Sequence, residues 1–296
     1  MLLLVGRGIT ALGAASGLTC TFTLLNEYLD KERVKQATAY AIVSFTLGIG
    51  LAVTIGGIVT QYWHWQACFW VLLFHGLIML ALTCLFDETL KTKTPLNAAS
   101  LIQGYSIALK SRPLIIFSII VGFCSSVGYL YSAAAPIIAQ SQLLLSPSQY
   151  GYWNLINMIG MFASGFAAKT LLKNRQPLTV IYIGSLAILA CLVSLGVLFL
   201  TMSSSSLWFF VTTTLLYFSS GLMYSSATCL AMGSVDCKAN ASSIMNFLSI
   251  STAILSVVIL GYLPFNNLLA LVLVLSVFWL LVAILLQAGK IFISKT

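Results

Sequence analysis

The chain has 296 residues, of which 60% are apolar and 7% charged, with a formal net charge of +8 and a mean hydropathy of +1.03. A water-soluble domain carries roughly a quarter charged residues, so a soluble enzyme, a disordered tail and a disulfide scaffold are excluded. At about 20 residues per crossing, the composition describes an all-α polytopic membrane protein.

Long apolar runs between charged or turn-rich breaks predict nine spans, at about 2–25, 37–60, 67–86, 114–140, 150–172, 178–202, 207–232, 242–263 and 268–288. The first has no basic stretch before it and is read as a retained crossing rather than a signal peptide. It contains Arg7, the only charge well inside a span. Six residues into a helix is about 9 Å deep, and an arginine at the bilayer centre costs roughly 2.5–3.5 kcal/mol. Two readings stand open: the side chain snorkels to the interface, or it is a fixed positive charge in a cavity. Gly13 and Gly17, and then Gly48, Ala52 and Gly56, repeat every four residues, a spacing that makes close helix-packing seams. Tyr62, Trp63 and Trp65 follow as an interfacial aromatic belt.

Residues 87–112 form the one long connection. In it Ala98, Leu101, Ile102, Tyr105 and Leu109 make a single apolar stripe, as expected of a helix lying on the membrane surface. The chain thus divides into 1–88 with three crossings, a linker at 89–112, and a six-helix bundle at 113–296. The last six crossings are compatible with a 3+3 inverted repeat. Pro136 lies inside the fourth span and is expected to bend its outer end. Asn154 and Asn157 share a face of the fifth span, either as hydrogen-bond glue between helices or as cavity lining.

All basic residues but Arg7 lie on alternate loops or in the tail, and the intervening loops hold no Lys or Arg. The positive-inside rule then puts the N-terminus outside and the C-terminus in the cytoplasm. Such dispersed charge is no nucleic-acid surface. Of the seven cysteines all but Cys237 sit in apolar runs, which reads as small buried hydrophobes. With only His64 and His75 available, a multi-histidine metal site is not expected, and no cofactor is implied.

Several strings resemble the major facilitator superfamily, particularly its twelve-helix drug:proton antiporter branch of the bicyclomycin/chloramphenicol-resistance type. LLLVGRGITALGAASG resembles the start of the family's fourth helix, with Arg7 at the motif arginine and Gly13 and Gly17 at small positions. LDKERVKQATAY resembles the following loop, and WHWQACFWVLL and FDETL the edges of the sixth helix. SAAAPIIAQ and LSPSQYGYWNLIN resemble the seventh helix and the entry to the eighth. In the fifth-helix motif Gly48, Gly56 and Gly57 fit, but Ala52 and Val53 replace Gly-Pro. The resemblance implies a major facilitator-like bundle of family helices four to twelve, lacking the first three. It makes Arg7, Tyr131, Asn154 and Asn157 substrate or proton-pathway candidates, with Arg7 tuning a carboxylate. Gly13, Gly17, Gly48, Gly56, Gly57 and Pro136 would serve packing and gating.

The implied function is secondary transport in the inner or plasma membrane, by proton-coupled efflux of drugs or other amphipathic molecules. The partners are then the bilayer, protons, a small-molecule substrate and a polypeptide supplying the missing helices. Against this, Glu27, Asp30, Glu32, Asp87, Glu88 and Asp236 all fall at loops or span ends, so no intramembrane carboxylate is present. A metabolite or siderophore permease of the same fold, and a truncated non-transporting membrane protein, remain the competing readings. A membrane enzyme has no nucleophile–base pairing to support it.

Overall fold

The computed structural model describes residues 2–28, 48, 50–85, 105–106, 108–235 and 238–293. Among them are nine apolar helices: α1 (Leu2–Tyr28), α2 (Gly50–Tyr62), α3 (Ala67–Thr83), α4 (Arg112–Ser141), α5 (Pro147–Asn174), α6 (Pro177–Leu200), α7 (Ser206–Gly233), α8 (Lys238–Tyr262) and α9 (Asn267–Ile293). Six of these, α4 to α9, are long and apolar enough to cross a membrane; Leu3–Ala15, α2 and α3 are shorter apolar stretches. The predicted span at 37–60 is described only at 48 and 50–60, since 37–47 and 49 lie outside the described residues, as does most of the predicted surface helix. Of that stripe, Tyr105 and Leu109 are exposed, and it is the neighbouring Ala108 that packs into the core.

The described residues fall into two compact units. One comprises the described parts of 1–49 and 69–95, and the other those of 50–68 and 96–296. In the first, α1 and α3 present large apolar side chains outward, Leu12, Trp70 and Phe74 among them. Lipid tails solvate such side chains without cost.

The second unit is built from helices whose starts are written in the sequence. Ser111, Ser146 and Ser205 each accept from a backbone N–H in the first turn of α4, α5 and α7. At α5 this is a full capping box, with the Gln149 side chain returning to the Ser146 N–H at 2.9 Å. Pro113, Pro147 and Pro177 occupy first-turn positions, where a missing N–H forfeits no bond. Helix α4 continues through Pro136 to Ser141.

Central α4 and α7 lie against each other. α4 also packs on α8 and α9, α7 on α5 and α6, and α6 meets α9. Exchanging α4 with α7, α5 with α8 and α6 with α9 turns every one of these contacts into another that is present. That is the pattern of a 3+3 repeat. Burial follows it: 67% of the apolar stretch of α4 is enclosed, against 28% for α5 and for α8. In hydrocarbon the association of helices depends on close packing rather than on water exclusion. Accordingly, Gly122 of α4 faces Thr252 and Ser249 of α8, and Gly160 of α5 faces the Thr214 carbonyl of α7.

Cysteine burial is mixed. Cys124 and Cys191 are buried, but Cys84 and Cys229 are exposed, because a thiol on a lipid-facing surface is no less comfortable than one inside.

Candidate functional site

The polar centre of the second unit lies where α4, α5 and α7 meet. Counting from Pro147, Asn154 and Asn157 sit roughly 10 and 15 Å along α5, inside a hydrocarbon core about 30 Å thick. Tyr131, Asn154 and Asn157 are 3%, 6% and 3% exposed, so each polar atom must find a partner in the protein.

They find one another. The Tyr131 hydroxyl donates to Asn154 Oδ1 at 3.0 Å. The Asn157 amide donates to the Tyr131 hydroxyl at 2.6 Å and to Asn154 Oδ1 at 3.2 Å. Asn157 Oδ1 accepts from Thr213 at 3.2 Å and from Thr214 at 2.8 Å. Asn157 thereby uses both donors and both lone pairs. Each threonine shares its single proton with the Phe210 carbonyl. Aromatic rings wall the knot: Tyr217 stands edge-on to Tyr131 at 5.3 Å, Phe209 stacks on it at 6.3 Å, and Trp153 stacks on Phe210 at 5.3 Å. Chemically the arrangement can hold three helices in register or offer bonds to a neutral ligand. It contains no carboxylate, imidazole or ammonium group.

The structure therefore joins three of the four residues that the sequence marked for a substrate or proton pathway. Thr213 and Thr214 were missed, although three threonines in a row at 212–214 of an apolar span are a polar signal at one depth. Arg7 lies in the other unit, on α1, exposed, with its guanidinium 5.3 Å from the centre of the Phe69 ring, a cation–π distance.

Among the small residues, a Cβ added at Gly13, Gly17, Gly48 or Gly56 would meet no described atom within 4 Å. The close approach in this region is made by Gly50, Thr54 and Gly57, on another face of α2. A Cβ at Gly57 would strike the Pro147 carbonyl, and one at Gly50 the Met158 side chain. The Thr54 hydroxyl donates to the Gly151 carbonyl at 3.0 Å and to the Gly50 carbonyl at 3.1 Å. Pro136 is half-buried near the end of α4.

A multi-pass bundle of mirrored helix triplets around a buried uncharged polar knot defines a helical membrane protein of the transporter type. A sequence model of the Major Facilitator Superfamily matches residues 1–257, and the chain belongs to that superfamily, a family of transporters rather than enzymes. The chain is also similar to a bicyclomycin resistance protein homolog of Haemophilus influenzae, with 22% identity over 163 residues. That alignment covers 54% of this chain and 41% of the relative, so the chain spans less than half of the relative's length.

Proposed function

We propose that the chain forms part of a proton-coupled exporter of drugs or other amphipathic small molecules in the inner or plasma membrane. Membership of the superfamily and the likeness to a drug-resistance homolog support this reading. The structural observation that carries it is the uncharged Tyr131–Asn154–Asn157 knot at mid-depth of a mirrored six-helix unit. In such an architecture the substrate binds near the midplane and two bundles rock about it. Residues 113–296 would be one such bundle, 89–112 its connection, and 1–88 would belong to the other. Here the knot would line the substrate pathway within its own bundle, and Arg7 would be a fixed positive charge within the other unit. The basic loops support an outer N-terminus and a cytoplasmic C-terminus.

Proton coupling needs a group that titrates within the membrane. Every acidic residue of this chain lies in a loop or at a span end, so a carboxylate carrier would come from a further polypeptide segment. Expressed alone, the 296-residue chain should confer no drug resistance and no drug-stimulated proton flux in inverted membrane vesicles. Robust flux from that product would refute the dependence on a partner. Transport of a metabolite or siderophore without drug-stimulated flux in the completed protein would replace efflux by a permease activity.

A further inference from the structure

The outward face of α5 changes character along its length. Ile159 and Phe166 are 66% and 72% exposed, and Ala163, Thr170 and Lys173 continue the same stripe, with Lys169 beside them, all exposed. Arg175, also exposed, ends the helix, its N–H bonded to the Leu171 carbonyl at 2.7 Å. A small apolar cluster of Ala168, Val180 and Leu222, with Leu171 and Leu172 against it, fixes this end of α5 to α6 and α7. The three cations are thus held on a rigid corner, pointing away from it. Among the described residues of this unit there is no Asp or Glu to pair with them. The next helix adds to the field: α6 starts at Pro177 with no side-chain cap from Gln176, leaving the positive end of its dipole there.

From this we infer that the end of α5 is a docking surface for an anionic phospholipid. The phosphate headgroup would lie among Lys169, Lys173 and Arg175, and an acyl chain would run along Phe166 and Ile159. Charge complementarity selects the occupant, and the apolar stripe immediately below the cations selects a lipid over a soluble anion. The inference is independent of what the protein transports.

Native mass spectrometry of the full chain, released from neutral detergent with added phosphatidylglycerol or phosphatidylcholine, tests it. Each basic residue near a membrane surface is worth roughly fivefold in affinity for an anionic lipid. With three such residues, wild type should therefore bind phosphatidylglycerol at roughly hundredfold lower lipid concentration than phosphatidylcholine. The Lys169→Gln/Lys173→Gln/Arg175→Gln variant should bind both alike, while Lys110→Gln keeps the preference. If the triple variant is not recovered, each single glutamine variant should lose a few-fold of the preference. Retention of full preference by the triple variant or by all three singles would overturn the inference. So would displacement of phosphatidylglycerol by millimolar inorganic phosphate, which would mean a site for free anions.

Discussion

The two mirrored crossings of the six-helix unit, α5 on α7 and α4 on α8, share a geometry and differ in chemistry. Both bring a glycine against a threonine-bearing helix, Gly160 opposite Thr214 and Gly122 opposite Thr252. Yet α5–α7 adds two bonds, from Thr213 and Thr214 to the Asn157 amide, which is tied on to Tyr131 of α4 by a third, whereas α4–α8 adds one bond, Ser125 to Ser249 at 2.8 Å. The shape of the crossing is set by small residues and repeats with the fold. The strength of its polar tie does not repeat, and is concentrated where α4 joins the α5–α7 pair.

Overfilling a crossing should have the largest effect. A Cβ at Gly160 would stand 2.6 Å from the Thr214 carbonyl oxygen, and backbone cannot swing aside as a side chain can. Gly160→Val is expected to cost about 3 kcal/mol or more, seen as loss of the folded fraction after detergent extraction. Gly122→Val meets Thr252 Cβ and Oγ1 at 2.7 and 2.8 Å, with the nearest backbone atom, Ser249 Cα, farther off at 3.2 Å, and should be milder. Equal damage at both sites would mean that backbone proximity is not what limits the crossing. Next comes the knot. Asn157→Leu removes four hydrogen bonds, three of them between helices, while the Tyr131 hydroxyl keeps its bond to Asn154; interhelical bonds in membranes average about 0.6 kcal/mol, so a loss of roughly 2 kcal/mol is expected. Thermal denaturation in detergent measures it, and an unchanged midpoint would reduce the knot to incidental contact.

Much of the architecture could be read from the sequence because hydrocarbon imposes length and apolarity on each crossing. The spans expected at 114–140, 150–172, 178–202, 207–232, 242–263 and 268–288 accordingly fall on α4 to α9. Asn154 and Asn157 stood out because amides are costly in an apolar span, and Tyr131 was marked through the family pattern. That Tyr131 meets both asparagines depends on which faces of α4 and α5 oppose each other, which no local spacing encodes. For the same reason the four-residue repeat of Gly48, Ala52 and Gly56 pointed to one face of α2, while the described close contacts lie on Gly50, Thr54 and Gly57. Small residues mark a possible seam, but the neighbouring helix decides which face becomes one. The pairing of Thr213 and Thr214 with Asn157 was hidden because threonines in apolar spans commonly bond their own helix, as both also do here to Phe210.

The smallest expected effect lies at the weaker crossing and sharpens the contrast. Ser125 and Ser249 each have a hydroxyl on the other, and replacing both by alanine removes donor and acceptor together, so neither is left stranded. Ser125→Ala/Ser249→Ala should change stability by less than about 0.6 kcal/mol. The corresponding double substitution in the knot, Tyr131→Phe with Asn157→Leu, should behave differently in a double-mutant cycle. Tyr131→Phe alone leaves an Asn157 N–H without its acceptor in the low-dielectric interior, a penalty that Asn157→Leu removes, so the pair should couple by roughly 1 kcal/mol. A serine pair that couples as strongly as Tyr131 with Asn157 would mean that the two crossings are tied alike. The asymmetry would then belong to the residue count and not to the energetics.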